Sequence, residues 1–261
     1  MTASVRPGAE AWSADGHGQL AKLGILVLHG FTGSPVSVRP LAELLSKRGF
    51  AVELPRLPGH GTRPLDLLPT RYADWRAEAL AALTRLRART PQVCVVGLSM
   101  GGTLALDLAT TDVVDGVVTI NAQILDRRGL IVKLGPIIEK FLPMAPASAA
   151  GLTKNDIKKG GDEDAYSWVA SAAGNSLMRA LPQVRARLKS LTCPLLVIHS
   201  REDHTVPPAN SKALPNLVGT PSPSVAVLEL RDSYHVATLD NDLPLIDERV
   251  ASFAENLMKT F

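Results

Sequence analysis

The chain has 261 residues, 46% hydrophobic and 20% charged, enough to bury a full core as one large domain. Its 28 lysines and arginines against 25 aspartates and glutamates give a formal charge of +3 with no block of like charge, which argues against nucleic acid as a partner. Nowhere do eighteen apolar residues run together, and Met1 to Gln19 holds no apolar core of signal-peptide length, so the expected location is the cytoplasm, with attachment at a membrane surface left open.

Along the chain, short runs of Val, Ile and Leu alternate with helical patterns. Strands are predicted at Leu23 to Leu28, Ala51 to Leu54, Val93 to Val96, Gly116 to Ile120, Leu195 to His199 and Ser224 to Leu230. Helices are predicted at Val38 to Arg48, Tyr72 to Arg89, Gly101 to Ala109, Pro208 to Leu217 and Leu245 to Met258. One helix separates each strand from the next, as right-handed crossovers in a mostly parallel sheet require. The exception is residues 123–191, whose length, scattered Pro and Gly and mixed helical signals predict an inserted cap over the strand ends. The expected organisation is a single α/β domain over residues 1–261 with that cap inside it. Cys94 and Cys193 lie at or beside the start of buried strands and read as unpaired core thiols.

Gly97-Leu98-Ser99-Met100-Gly101 closes one apolar run and opens a helical one. A serine at the tip of a sharp strand-to-helix turn takes a strained backbone conformation, and residues two before and two after it must lack side chains to avoid collision. Ser99 is therefore the candidate nucleophile. A serine hydroxyl needs a base, and the base needs a third group to orient it. Downstream, Asp203 follows the strand Leu195 to His199, and His235 follows the last strand, both on loops at the sheet edge expected to carry Ser99. Glu202 beside Asp203, and His204 as the base, remain alternatives on the residues alone.

Acyl transfer also needs donors for the developing oxyanion. The main-chain N–H of Met100 opens a helix, where free amides and the helix dipole favour negative charge. That of Phe31 lies in the loop after the first strand and is the second candidate. His29, before Gly30, reads as a structural histidine bonding loop backbone. No His, Cys and carboxylate cluster has metal-ligand spacing, and no cofactor is expected.

The segments HGFTGSP from His29 to Pro35, LPRLPGHGT from Leu54 to Thr62, GLSMGGT from Gly97 to Thr103, EDHTVPP from Glu202 to Pro208 and SYHVATLDND from Ser233 to Asp242 resemble the α/β-hydrolase superfamily. More closely, they resemble its bacterial monoacylglycerol lipases and carboxylesterases. The resemblance implies Ser99, Asp203 and His235 as the catalytic triad, in the Ser, Asp, His chain order of that superfamily. It implies the amides of Phe31 and Met100 as the oxyanion hole. By the same resemblance Glu163, in Asp162-Glu163-Asp164-Ala165-Tyr166, contacts the glycerol hydroxyls, and Asn121 is a polar pocket residue. On its own, a glutamate in an acidic run is a solvated surface residue. Residues 126–153 depart from the family pattern.

The expected activity is hydrolysis of monoacylglycerols or similar small lipid esters through an acyl-enzyme. The alternatives are a general short-chain carboxylesterase, a peptidase or thioesterase, and a non-catalytic ligand binder on the same fold. The apolar stretch Gly129 to Ala145, broken by Pro136 and Pro143, is too short to span a bilayer. It is expected to pack as the cap, with part of it touching lipid and Lys133 and Lys140 near head groups.

Overall fold

The computed structural model describes residues 4–125, 135, 137 and 139–259. Its elements are β1 (Trp12–Ala14), β2 (Leu23–Leu28), α1 (Arg39–Arg48), β3 (Ala51–Leu54), α2 (Tyr72–Arg87), β4 (Gln92–Leu98), α3 (Met100–Thr111) and β5 (Gly116–Ile120). There follow β6 (Met144–Pro146), β7 (Trp168–Ala170), α4 (Ser171–Arg187), β8 (Leu195–Ser200), α5 (Ala209–Leu217), β9 (Val225–Leu230) and α6 (Leu243–Met258). Among the described residues the main sheet has seven strands in the order β1-β3-β2-β4-β5-β8-β9, with only β1 antiparallel to its neighbour.

The two-residue period of a strand explains why these runs are apolar throughout. All six residues of β2 are buried. Leu23, Ile25 and Val27 point into one core, with Leu41 and Leu45 of α1 and Ile246 and Val250 of α6. Leu26 and Leu28 point into the other, with Leu83 and Leu86 of α2 and Leu104 of α3. Each such side chain, taken fully out of water, contributes about 1.5–3 kcal/mol to the folded state. Because β2, β4, β8 and β9 run parallel, the loops leaving their carboxyl ends gather at one edge, where open α/β sheets carry their ligands.

Between β5 and β8, which are paired neighbours, the chain leaves the sheet. Strands β6 and β7 form a separate antiparallel pair, with Met144 opposite Ala170, and α4 returns towards the sheet by burying Ala173, Leu177 and Val184 in the core shared with α2 and α3. The far end of α4 is fastened by charge. Arg187 donates to Asp107 of α3 at 2.5 Å, and the same buried carboxylate accepts from the Tyr72 hydroxyl at 3.0 Å and lies 3.2 Å from Nε of Arg76. A second fastening comes from early in the chain. Arg6 donates to the carboxylate of Asp164 at 2.6 Å and to its carbonyl at 2.8 Å, with its guanidinium 4.8 Å from the centre of the Tyr166 ring. Cys94 and Cys193 are both free thiols, the first buried and the second partly so.

Candidate active site

Ser99 stands between β4 and α3 with φ 54° and ψ −119°, a region that residues with a β-carbon rarely occupy. Its N–H is held by the carbonyl of Ile120 at 2.8 Å, and its carbonyl accepts from the amides of Gly102 at 2.9 Å and Thr103 at 3.2 Å. Glycine is required on both sides. A β-carbon on Gly97 would run into the carbonyl of Gly101, and one on Gly101 into the carbonyl of Leu28. The serine thus projects from a turn that is over-determined by its surroundings, with the opening turn of α3 directly behind it.

Asp203 and His235 meet across their loops. Nδ1 of His235 lies 2.9 Å from Oδ2 of Asp203, whose side chain is fully buried. The other oxygen of Asp203 accepts the amides of Thr205 at 2.8 Å and Val206 at 2.7 Å, so the carboxylate is held by backbone on one side and imidazole on the other. Burial works against the carboxylate, but the His235 charge and hydrogen bond, with the two amides, hold its pKa below the usual range. For His235, burial likewise disfavours the charged ring. The charge and hydrogen bond of Asp203, reinforced by Glu163 and Asp156, overcome this and raise the pKa above 6.5. Of the two alternatives, Glu202 is half exposed and faces Lys158 at 3.7 Å, while the ring of His204 bonds Asp156 at 2.7 Å, away from Asp203.

Ser99 and His235 line one cavity of about 360 Å³ together with Phe31, Met100 and Glu163, and much of its remaining wall is apolar, including Leu152, Val169, Leu177 and Val236. Among the described residues the amides of Phe31 and Met100 have no protein acceptor, which leaves both free for a ligand oxygen. Glu163 is buried rather than solvated in its acidic run. Its Oε1 accepts the amide of Asn155 at 3.1 Å, and the side-chain oxygen of Asn155 accepts the amide of Glu163 at 3.2 Å. Burial raises its pKa against the opposing influence of His235.

Asn121 departs from the expectation. It is fully buried and does not line the cavity. Its Nδ2 donates to the carbonyl of His235 at 2.7 Å and to Oγ of Ser200 at 3.1 Å, and its Oδ1 accepts the amide of Ser200 at 2.7 Å. With both ends of the amide occupied, it braces the His235 loop from behind. Sequence reasoning missed Asp156 and Asn155, because no motif marks either one in the inserted segment. The two ring nitrogens of His29 reach backbone, the structural place its sequence predicts: Nδ1 donates to the carbonyl of Gly30 at 2.9 Å and Nε2 accepts the amide of Leu57 at 3.1 Å.

The sequence pattern of the Alpha/beta hydrolase family matches residues 25–248. The chain is 39% identical, over 95% of its own length and 95% of the relative's, to a thermostable monoacylglycerol lipase of Bacillus sp. (strain H-257). It is 26% identical, over 89% of its length and 92% of the relative's, to a carboxylesterase of Bacillus subtilis (strain 168). A solved structure described with the metagenome-derived lipolytic enzymes LipS and LipT superposes with a TM-score of 0.88 at 36% identity, covering 97% of this chain and all of the other. Matched in sequence over most of its length, the chain belongs to the alpha/beta hydrolase family.

Proposed function

We propose that the protein is a serine hydrolase that cleaves monoacylglycerols to fatty acid and glycerol through an acyl-enzyme. The observation that carries this reading is the lining of one cavity, largely apolar and holding a buried carboxylate, Glu163, together with Ser99 and His235. An acyl chain suits the apolar part, and the hydroxyls of glycerol suit the carboxylate. The likeness to a monoacylglycerol lipase supports the same substrate class.

In this reading His235 takes the proton from Oγ of Ser99 as the oxygen bonds to the ester carbonyl carbon. The carbonyl oxygen becomes an oxyanion that accepts the amides of Phe31 and Met100. The intermediate collapses by breaking the bond to the glycerol oxygen, which leaves with the proton held by His235. Water then enters, gives its proton to His235 and attacks the acyl carbon, and the fatty acid departs as Ser99 recovers its proton. In this reading described residues of the inserted segment, among them Leu152, Val169 and Leu177, supply apolar wall for the acyl chain.

Part of that cap suits contact with lipid. Phe141 is 83% exposed, with exposed Ile137, Leu142 and Trp168, and Lys140 is exposed among them. Lys133 lies outside the described residues. Among the described residues no helix is long and apolar enough to cross a membrane. Co-sedimentation with vesicles that is absent, or unchanged by Ile137→Asp and Phe141→Asp, removes the lipid contact from the reading.

The activity test compares hydrolysis of a monoacylglycerol series with alkyl esters of equal acyl length. Ser99→Ala is expected to lose about 10⁴-fold or more on all of them. Glu163→Gln is expected to lose rate selectively on the glycerol esters. Equal rates on both ester classes, indifferent to Glu163, would instead mark a general carboxylesterase, and full activity in Ser99→Ala would remove the serine mechanism.

A further inference from the structure

Asp156 reaches both loops that carry the triad candidates, although it belongs to the inserted segment. Its side chain is buried. Oδ1 accepts from the ring Nδ1 of His204 at 2.7 Å, and Oδ2 lies 3.2 Å from the amide of His204 and 3.2 Å from the amide of His235. Its main-chain carbonyl accepts the amide of Val236 at 3.0 Å. Every one of these bonds falls on the residue after Asp203 or on the pair that begins with His235.

A second carboxylate runs in the opposite direction. Asp240, on the His235 loop, accepts the amides of Lys158 at 2.6 Å and Lys159 at 3.0 Å in the inserted segment, and that of Tyr234 at 2.9 Å on its own loop. The inserted segment and the His235 loop therefore each lend a carboxylate to the other's backbone. Asp240 anchors the loop, but it is Asp156 whose charge also faces the His235 imidazole. The charged and titratable groups facing that ring are Asp203, Glu163 and Asp156, all acidic, with His199 as the basic neighbour.

We propose that Asp156 is a positioning residue for the reaction: it sets the pitch of the His235–Val236 backbone so that the ring meets Asp203, and its charge stabilises the imidazolium formed when Ser99 gives up its proton. The proposal rests on the reading of His235 as general base. Its role is separable into geometry and charge. Asp156→Asn keeps the shape and removes the charge, so the imidazolium loses support and the acid limb of kcat/KM moves to lower pH. Asp156→Glu keeps the charge and displaces the oxygens, so kcat falls while the limb stays where it was.

The experiment measures kcat and KM for p-nitrophenyl butyrate from about pH 5 to about pH 9 in full-length wild type, Asp156→Asn, Asp156→Glu and His235→Ala, each normalised to the folded fraction by circular dichroism. The expected result is a fall in kcat of about tenfold in both Asp156 variants with little change in KM, and an acid limb displaced only in the Asn variant. A purely structural role would lower the folded fraction and leave the limb of the Asn variant in place, and that result overturns the proposal. Where the Asn variant does not fold, the Glu variant decides: wild-type kcat per folded molecule overturns the proposal. Retained activity in His235→Ala overturns the base assignment itself. A wild-type profile in the Asp156 variants beside an inactive His235→Ala overturns the role of Asp156 alone.

Discussion

Nδ1 of His29 stands 2.9 Å from the carbonyl oxygen of Gly30, which belongs to the same peptide unit as the N–H of Phe31. A carbonyl can only accept, so Nδ1 carries the proton, and the amide of Leu57 at 3.1 Å then finds Nε2 as its acceptor. In a trans peptide the C=O and N–H point in opposite directions, so pulling the carbonyl towards the imidazole turns the Phe31 amide away from it. His29→Ala frees that rotation. With the Phe31 amide as the proposed oxyanion donor, activity is expected to fall by up to about a hundredfold, less than the full loss of such a donor, and mainly in kcat. Steady-state kinetics on a soluble ester checks this, and a change confined to KM would refute it.

Acid stability follows from the same corner of the molecule. Burial lowers the pKa of His29 to about 4, against the bond to Gly30, and burial with the nearby His29 lowers that of His60 to about 3. Unfolded histidines titrate near 6.5, so below that pH the unfolded chain binds protons that the native state refuses. The contribution of these two histidines is therefore complete above 6.5 and declines as pH falls towards about 4, on the order of 3 kcal/mol for His29 alone. Urea midpoints measured across this range should fall steadily, and His60→Phe should flatten the decline.

His235 has the opposite sign. Its raised pKa contributes stability that is present below 6.5 and lost as pH rises through the native value. If His235 is the general base, as proposed, catalysis requires the neutral ring, so the acid limb of kcat/KM is expected above 6.5. A limb at or below 6.5 in a pH-rate profile would contradict this.

The turn at Ser99 predicts a steep response to a single methyl group. Gly101→Ala would drive its β-carbon into the carbonyl of Leu28, which is backbone in a central strand and cannot step aside. Loss of soluble, folded protein or of all activity is expected. A well-folded and active Gly101→Ala would show that the turn tolerates rearrangement.

Asp107 is the meeting point of α2, α3 and α4. Asp107→Ala leaves the Tyr72 hydroxyl and two arginines without their shared acceptor. The guanidinium of Arg187 is partly solvated, so the cost is expected at about 3 kcal/mol, the lower end for breaking a buried pair. That corresponds to a Tm drop of roughly 6–10 °C by calorimetry for a chain of this size.

Much of the main sheet can be read from residue order because strands such as β2, β5 and β8 are buried on both faces and so are continuous apolar runs. The loops of Ser99, Asp203 and His235 could be placed at one edge because parallel strands leave no other choice. β1, β6 and β7 escaped notice since three residues each are too few to show a period. α4 was hidden by Gly174 and Pro182, which interrupt a helix that tertiary burial of Leu177 and Val184 nonetheless holds. Asn121 sits after a strand at the right edge, yet residue order does not tell which way a side chain turns when φ is 49°, and the amide turned inward to the His235 loop. Glu163 reads as solvated in its acidic run, and only the fold shows that Asn155 covers it.

Arg6 grips Asp164 and overlies Tyr166, whose amide in turn bonds the carbonyl of Thr32, one residue beyond Phe31. Glu163 is the residue just before this grip. Arg6 is thus a tether beside the cavity lining, some 158 positions away from Asp164 in sequence. Trimming past Arg6, or fusing a bulky partner close to it, releases the hold on Asp164 beside Glu163, so under the proposed function the choice of where to attach a tag is expected to reach the pocket as well as solubility.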